Sequence, residues 1–351
     1  MSLRVAMVGC GAVGGYAAGH MARNGVDVTF IDAWPEHVAK MNQDGLELRG
    51  VTSQESFDVK VKAINITEVQ NTPKEGPFDI AFISTKSYDS QFAAALIRDY
   101  LAPQGFVVSL QNAINEERIS AVVGAHRVVG CIASNISAEL EAPAHIQRNV
   151  PIRGDSYTVF RVGEQHGRIT DRIEQVAELM RHTDSAKTTS NLWGERWSKL
   201  IINASHNGLS AGTGLSGNGM ALDDKARLVQ IKLSGETIEV GQALGYRLEQ
   251  RKGTDPNEWV AAAKGDRKAL QRIEDHIVAE VKGRGDGQRP SMGQDMQKGR
   301  KTEIAEINGF VCEKGNEVGI PTPLNARMVE LVRKCERGAL TPSVDNIADW
   351  V

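Results

Sequence analysis

The sequence predicts a doubly wound α/β domain followed by an all-helical domain. In the first half of the chain, short runs of apolar and β-branched residues alternate with helical stretches. Such nearly continuous apolar runs are typical of strands in a parallel sheet that is covered on both faces. From residue 192 onward, apolar residues recur at helical spacing and strand signals are few. Because 351 residues exceed what one hydrophobic core usually covers, we expect two domains, residues 1–190 and 191–351.

The strands of the first domain are predicted from these apolar runs. An Ala- and Gly-rich stretch of helical period, residues 13–24, links the first two strands as a crossover helix. Residues 169–181 form the last predicted helix before the domain boundary, which we place near residues 188–191. The predicted strands are residues 4–8, 26–31, 79–84, 106–110 and 128–132, with a further strand pair at 46–48 and 57–63 and an extended segment at 159–162.

The most polar stretch of the chain, residues 252–290, lies in the second domain. Its part 259–281 is predicted to be helical, because apolar residues recur there near i+3/i+4 spacing. Residues 283–290, which are rich in Gly and end in Pro, are predicted to be a loop. The position of this stretch suggests a lid or an oligomer contact; the alternative is a solvated surface insertion.

Composition and charge argue against several classes of partner. A net charge of −3 gives no electrostatic reason to expect nucleic acid or an anionic membrane. No apolar run approaches bilayer length, and the N-terminal strand-like run is too short for a secretory signal. The four cysteines are far apart and lack metal-ligand spacing, which indicates isolated thiols. We therefore expect a cytoplasmic protein that acts on a small molecule and binds no metal.

A glycine-rich turn follows the first strand and opens the first helix. Its first glycine permits a tight turn, the second lets backbone approach a pyrophosphate, and the third lets the helix pack on the strand. The helix N-terminus supplies N–H groups to the phosphates. Asp32 ends the second strand about twenty residues on, where a carboxylate accepts from ribose hydroxyls. This context favours dinucleotide binding over a structural turn with Asp32 as a helix N-cap. The turn is Gly9-Cys10-Gly11-Ala12-Val13-Gly14.

Two further polar residues follow strands of the predicted sheet. Lys86 comes just after the strand at 79–84, and Asn112 just after the strand at 106–110. Open α/β sheets bind ligands at the carboxyl ends of their strands, so both residues are candidates for one site. The alternatives are a solvated lysine and a turn-forming asparagine.

Residues 197–207 are predicted to be a largely buried helix with one polar stripe. Lys199, Asn203 and Asn207 lie four residues apart, so their side chains drift by only about 40° per step. A solvent-facing stripe would use Glu, Lys or Gln, because Asn is a poor helix former. The stripe favours fixed hydrogen bonds to a ligand; the alternative is a buried amide network at a helix crossing.

A second polar cluster lies nearer the C-terminus. It contains Ser291 and Asp295 in Ser-Met-Gly-Gln-Asp, and then Glu303 in Thr-Glu-Ile. Ser291 and Gln294 also fit a capping box, and Glu303 also fits an exposed helix carboxylate. The residues alone leave these alternatives open.

Taken in order, these motifs resemble the ketopantoate reductases (2-dehydropantoate 2-reductases), and the resemblance covers nearly the whole chain. It implies a Rossmann-type first domain and a second domain of the 6-phosphogluconate dehydrogenase C-terminal type. All of these motifs in this order identify the family far more specifically than any single motif does. The motifs are the Gly9–Gly14 turn, Ser84-Thr85-Lys86, Gln111-Asn112, Trp197-Ser198-Lys199-Leu200 with Asn203 and Asn207, Ser291-Met292-Gly293-Gln294-Asp295, Thr302-Glu303-Ile304-Ala305-Glu306-Ile307-Asn308-Gly309 and Gly319-Ile320-Pro321-Thr322-Pro323.

The resemblance implies an oxidoreductase that transfers hydride from NAD(P)H to the 2-keto carbon of a small branched acid in a cleft between the domains. For the family this is reduction of ketopantoate to pantoate in pantothenate biosynthesis. By the same resemblance, Lys199 is the general acid, Glu303 is its paired carboxylate, and Lys86 is a cofactor-side residue. The residues that resemble substrate or cofactor contacts are Asn112, Asn203, Asn207, Ser291 and Asp295.

The sequence also departs from the family pattern. Asp32 stands where NADPH-using members carry a basic residue, Ala113 stands where glycine is usual, and residues 250–290 are longer and more charged. Because Asp32 would repel a 2′-phosphate, we expect a preference for NADH, with NADPH, the family's usual cofactor, as the alternative. His37 and Lys40 would soften that repulsion if the following helix turned them inward.

Two other functions fit part of the sequence. One is an NAD-dependent dehydrogenase of another hydroxy acid, such as an opine-like or sugar-derived one. The other is a non-catalytic dinucleotide-sensing module. A homodimer is the assembly we expect for the protein. A sensor needs only the first domain's site, so the second domain's polar set argues against it. That set is Lys199, Asn203, Asn207, Ser291 and Glu303.

Overall fold

The computed structural model describes residues 3–250, 253–283 and 288–351. The chain forms two compact units, Met1–Leu192 and Trp193–Val351. The first contains a mostly parallel sheet with helices and the second is built from helices, which confirms the predicted fold class. Of the loop predicted at 283–290, residues 284–287 lie outside the described residues. None of the helices in the described ranges combines the length and hydropathy that a bilayer span requires.

The first unit is organised around one large sheet. In the part of the chain that the structure describes, its strand order is β12-β11-β8-β7-β6-β1-β2-β5, and every pair is parallel except β8 with β11. The order reverses beside β1, and open α/β sheets bind ligands at the carboxyl end of such a point. The strands of this unit are β1 Arg4–Val8, β2 Asp27–Asp32, β3 Leu46–Arg49, β4 Phe57–Val59, β5 Lys62–Asn65, β6 Phe78–Ile83, β7 Leu101–Ser109, β8 Val128–Ala133, β9 Ala138–Ala142, β10 His145–Arg148, β11 Phe160–Glu164 and β12 Ala186–Thr189.

Five helices flank these strands in the described residues. The first follows β1 directly and packs on the sheet through a fully buried face that includes Tyr16, Ala17 and Met21. The helices are α1 Ala12–Arg23, α2 Pro35–Asp44, α3 Ser90–Arg98, α4 Glu116–Val123 and α5 Asp171–Arg181.

A small second sheet, of order β4-β3-β10-β9, lies against α1. The helix and sheet approach closely because α1 carries glycines one turn apart. A Cβ on Gly15 would lie 2.6 Å from Ile146 Cδ1, and one on Gly19 would lie 2.7 Å from Leu48 Cδ1. The predicted strand pair of 46–48 with 57–63 is confirmed for β3 and β4. Residues 57–63 are not one strand, however, because β5 pairs with β2 in the large sheet.

The second unit packs its helices through small residues and through the buried indole of Trp197. Trp197 Nε1 donates to the Thr237 carbonyl at 2.8 Å and so joins two helices. Gly208 and Gly212 let another helix approach, since a Cβ on either would lie 2.7 Å from a side chain of that helix. The helices are α6 Leu192–Thr213, α7 Gly217–Leu222, α8 Asp224–Ala243, α9 Pro256–Ala263, α10 Arg267–Ala279, α11 Ser291–Gln297, α12 Phe310–Val318 and α13 Pro323–Glu336.

Helices α9 and α10, which lie within the polar stretch, belong to this packing. Residues 259–281 form parts of α9 and α10 instead of one helix, because Gly265 has a φ of +93° and Asp266 caps α10 through the amide of Ala269. Trp259 and Ile273 are fully buried. These two helices are therefore packed on one face, and their role as a lid, an oligomer contact or a surface insertion stays a prediction.

Candidate active site

The glycine turn between β1 and α1 has a steric requirement for two of its glycines. Gly9 has a φ of +90°, and a Cβ there would lie 2.7 Å from the Thr85 amide nitrogen. A Cβ on Gly14 would lie 2.7 Å from the Ser84 side chain. Both glycines therefore let the turn and α1 pack against the chain segment that follows β6.

Gly11, in contrast, has neither a backbone conformation nor a neighbouring atom that requires a glycine. It is the N-cap of α1, its φ of −67° is open to any residue, and a Cβ would meet no described atom within 4 Å. The first amides of α1, beginning at Ala12 and Val13, have no acceptor within the helix. Free space beside unpaired N–H groups at a helix N-terminus fits an anionic group such as a pyrophosphate.

The carboxylate of Asp32, at the end of β2, is part of the same turn. Its Oδ2 accepts from the Cys10 amide at 2.7 Å and its Oδ1 accepts from the Trp34 amide at 2.9 Å. The N-cap of α2 is Trp34, so Asp32 is not the helix cap of the alternative interpretation. A carboxylate has about four acceptor positions, so this half-buried group keeps capacity for ribose hydroxyls.

The two basic side chains that follow Asp32, His37 and Lys40, both interact with other groups of the protein. His37 is fully buried, with Nε2 3.0 Å from the Cys10 carbonyl oxygen and Nδ1 2.8 Å from the Ala144 amide. Lys40 is exposed and pairs with Asp44 at 2.5 Å. The two residues that would soften the repulsion by Asp32 are thus engaged elsewhere.

Lys86 and Asn112 follow adjacent strands, β6 and β7, at the same edge of the sheet. Their loops are tied together, because the Ser87 hydroxyl and the Asn115 side-chain amide both donate to the Asn112 carbonyl, at 3.2 and 2.8 Å. Both residues are half-buried, so Lys86 is not fully solvated, whereas a turn-forming role for Asn112 stays an alternative.

Ala113, where the family pattern has glycine, adopts a left-handed conformation with a φ of +61°. Its side chain is buried. A non-glycine residue held there costs roughly 1–3 kcal/mol, and such strain concentrates at binding sites. The backbone after Asn112 thus keeps a glycine-like turn without a glycine.

The polar stripe predicted on residues 197–207 lies on α6. Asn203 and Asn207 are 4% and 6% exposed, and Lys199 is half-buried. Asn207 Nδ2 donates to the Ser291 hydroxyl at 3.5 Å, whereas Asn203 Nδ2 finds no hydrogen-bond partner among the described residues. A buried donor without a protein partner fits a ligand atom that would accept from it.

The C-terminal cluster is buried and is not a capping box. Pro290 is the N-cap of α11, Ser291 is its first residue, and the Gln294 side chain donates to the Arg289 carbonyl at 3.0 Å. Asp295 and Glu303 are 6% and 5% exposed, so the interpretation of Glu303 as an exposed helix carboxylate is wrong. Across the described ranges, no group of His, Cys, Asp or Glu side chains could hold a metal ion.

Sequence reasoning missed a buried polar network that supports these residues. Just after Glu303 the chain makes a π-helical turn, Ala305–Gly309, and π turns often mark functional sites. From this turn Asn308 donates to the Ala204 carbonyl of α6 and to Asn325, each at 2.9 Å. Helical periodicity gives no signal for such a turn; only the resemblance drew attention to this segment.

Glu236 holds the other side of that network. Its carboxylate accepts from the amides of Leu324 and Asn325 at the start of α13, at 2.9 and 3.0 Å, and from the Asn325 side chain at 2.8 Å. Burial raises the pKa of Glu236, and these three donors oppose that rise. No sequence signal linked Glu236 to α13, which is about ninety residues away in the chain.

Comparison with known proteins places both units in one family. The family model described as ketopantoate reductase PanE/ApbA matches residues 5–158, and its C-terminal model matches residues 191–336. The chain is 28% identical to the 2-dehydropantoate 2-reductase of Archaeoglobus fulgidus over 336 residues, 95% of this chain and 98% of the relative. It is 26% identical to that of Pyrococcus horikoshii over the same shares.

Solved structures agree with these matches. A PanE/ApbA family ketopantoate reductase from Ralstonia eutropha JMP134 is 26% identical, with a TM-score of 0.77 over 96% of this chain and 99% of that one. D-mandelate dehydrogenase with NADH and anilino(oxo)acetate has a TM-score of 0.77 at 20% identity over the same shares, so it shows the fold alone. A dimeric ketopantoate reductase from Staphylococcus aureus has a TM-score of 0.70 at 18% identity, over 96% of this chain and 99% of that one.

Proposed function

The chain belongs to the ketopantoate reductase family, whose members are nicotinamide-dependent oxidoreductases, and on that premise we propose that it reduces a small 2-keto acid to the 2-hydroxy acid. The substrate we favour is 2-dehydropantoate, the substrate in the names of its relatives. The observation that carries the proposal is the buried, unsatisfied amide of Asn203 on the helix face shared with Lys199 and Asn207. Packing of the helix does not by itself account for a buried amide donor without an acceptor.

The glycine turn would hold the dinucleotide. The space beside Gly11 and the first amides of α1 suit the pyrophosphate, and Asp32 suits the adenosine ribose. When bound, the reduced nicotinamide supplies the hydride. We propose NADH as the preferred cofactor, because Asp32 faces this region while His37 and Lys40 are engaged elsewhere. Gly9, Gly14, Ala12, Val13, Lys86 and Asn112 complete the proposed cofactor side.

Lys199 is the proposed proton donor. Reduction of a keto carbon leaves an alkoxide, which needs a proton and a positive neighbour as its charge develops. An ammonium supplies both, and no histidine is placed for this role by any motif of the chain. Glu303 would position the substrate hydroxyl or hold Lys199, without being the proton source. Asn203, Asn207, Ser291 and Asp295 would hold the substrate through its oxygen atoms.

Turnover of NADH and NADPH with a panel of 2-keto acids tests this proposal. The panel contains 2-dehydropantoate, pyruvate and an aryl 2-keto acid, and the reverse reaction is assayed with the matching hydroxy acids. We expect 2-dehydropantoate to give the highest kcat/KM. A different acid at least tenfold better would replace the substrate, and cofactor binding without any turnover would favour the sensing module.

We also propose a cytoplasmic homodimer that acts in pantothenate biosynthesis. Support for a reducing compartment comes from the four cysteines, which form no disulfide bond in the described residues. Support for a dimer comes from the Staphylococcus aureus enzyme, which is described as dimeric. The mass in solution, measured by light scattering, tests the dimer, and a monomeric mass would contradict it.

A further inference from the structure

One fully buried imidazole, that of His37, bonds through both of its ring nitrogens. Nδ1 lies 2.8 Å from the Ala144 amide, and Nε2 lies 3.0 Å from the Cys10 carbonyl oxygen. A backbone N–H can only donate, so Nδ1 must be the unprotonated acceptor. The ring proton is therefore on Nε2 and is donated to Cys10.

The Cys10 carbonyl belongs to the glycine turn, and its orientation sets the next donor. In a trans peptide the C=O of one residue and the N–H of the next point in opposite directions. Holding the Cys10 oxygen toward His37 therefore aims the Gly11 N–H the other way. The Cys10 amide is held as well, by Asp32 at 2.7 Å. The turn is thus fixed on both sides of one residue.

The other partner of the imidazole is equally fixed. Ala144 is buried, has a φ of +57°, and lies in the turn between β9 and β10, where its carbonyl accepts from the Glu47 amide of β3 at 2.8 Å. Trp34 stacks on the imidazole with centroids 5.7 Å apart and planes at 21°. The ring thus connects a rigid sheet to the turn, instead of only filling space.

We propose that His37 is a positioning residue for dinucleotide binding: it anchors the Cys10 carbonyl to the small sheet and thereby aims the amide of Gly11 at the pyrophosphate. This rests on the proposed function, which assigns the glycine turn to the cofactor. His37 acts through Cys10 and does not itself contact the cofactor. Because the pyrophosphate is common to both cofactors, the effect is the same for NADH and NADPH.

Three substitutions separate the two hydrogen bonds of the ring. In His37→Gln the side-chain amide reaches the Nε2 position and keeps a donor for Cys10; in His37→Asn the oxygen takes the Nδ1 position and keeps only the acceptor for Ala144. His37→Phe keeps the ring and loses both bonds. The readouts are the Kd for NADH and NADPH by fluorescence titration, the KM and kcat, and the Tm without cofactor. His126→Asn, at an exposed histidine of the same unit, is the control.

We expect His37→Asn and His37→Phe to raise both dissociation constants by ~10-fold or more, and His37→Gln to stay within ~3-fold of the wild type. The loss should fall on KM for the cofactor much more than on kcat, with the NADH-to-NADPH ratio unchanged. Equal losses in Gln and Asn variants, or losses that only follow Tm, would overturn the proposal. A wild-type protein that binds neither dinucleotide would instead contradict the proposed function, so the two failures differ.

Discussion

Asp32 Oδ2 accepts a 2.7 Å hydrogen bond from the amide of Cys10, so the acid that is proposed to meet the ribose also builds the turn that is proposed to meet the pyrophosphate. Its second oxygen accepts from the Trp34 amide. The end of β2 and the end of β1 are therefore one hydrogen-bonded unit. A change at Asp32 is expected to affect both the selection and the strength of cofactor binding.

Asp32→Asn should weaken binding of both cofactors and shift the preference toward NADPH. Like charges at ~4 Å and an effective dielectric of ~20 repel by a few kcal/mol, so removing the charge should change the ratio of kcat/KM values by ~10-fold or more. Both values fall because an amide cannot accept from Cys10 and Trp34 with both of its atoms. Steady-state kinetics of wild type and variant measure this, with the exposed Asp99→Asn as control. A tenfold NADPH preference in the wild type would refute the NADH proposal.

Gly11→Ala should leave the fold intact and impair cofactor binding. The new methyl group meets no described atom, and alanine at an N-cap costs at most ~1 kcal/mol relative to glycine. It would fill the space proposed for the pyrophosphate, so we expect Kd for NADH to rise ~10-fold or more. Melting curves and fluorescence titration measure the two effects. Unchanged NADH affinity would remove this space from the site.

Gly9→Ala should instead damage the fold itself. Its Cβ would lie 2.7 Å from the Thr85 amide nitrogen and its φ is +90°, so we expect a loss of ~3 kcal/mol or more in unfolding free energy. Gly25→Ala is the matched control, because Gly25 has a φ of +83° with open space around it. It should lose only ~1 kcal/mol, from backbone strain. Equal losses at both positions would show that the contact with Thr85 is unimportant.

Lys199→Ala should lose ~10²-fold or more in turnover while the Kd for NADH stays nearly unchanged. The proposed proton donor would be missing, whereas the glycine turn is on the other unit of the chain. Single-turnover kinetics alongside cofactor titration measure both quantities, and Lys225→Ala, at an exposed lysine of α8, is the control. A variant that keeps most of its rate would exclude Lys199 from the chemistry.

His20 should make the first unit less stable in mild acid. Burial, with Arg148 and Arg23 nearby, lowers the pKa of His20 from 6.5 to about 4. Between these pH values the unfolded chain binds a proton at His20 that the folded chain does not. The free energy of unfolding is therefore unaffected by His20 above pH 6.5 and falls as the pH is lowered to 4. The full effect is roughly 3 kcal/mol. His20→Phe keeps the ring contacts with Tyr16 and Phe57 and should flatten this part of the pH profile. Melting temperatures from pH 4 to 7 measure the difference, and identical slopes would contradict it.

The parts of the molecule that sequence predicted are those set by short-range signals. The strand, glycine turn and helix from Arg4 to Arg23 follow from residues close together in the chain, as does the polar stripe on α6. The acid at Asp32 could be placed because strand length fixes where β2 ends. These local patterns were enough to indicate the fold class and the candidate site residues.

The parts that sequence did not predict depend on distant partners or on unusual backbone. The small sheet pairs Leu48 with Ile146, which are far apart in the sequence. Its strands are too short to show a clear alternation of apolar and polar residues. The division of α9 from α10 depends on the positive φ of Gly265, which a helical apolar pattern conceals. Ser291 matched a capping box, yet tertiary packing set the helix start one residue earlier than that motif requires.

The π turn at Ala305–Gly309 lies between Glu303, which precedes it, and α12, which follows it. Each residue in an α-helix advances the chain by about 100° around the axis, and a π turn holds one residue more than an α turn. Removing one residue from this turn would restore a regular helix and rotate Glu303 relative to Asn308 by about that angle. The carboxylate would leave its buried position even though its chemistry and neighbours in sequence stay the same. The burial of Glu303 therefore depends on the number of residues in one turn as much as on their identity.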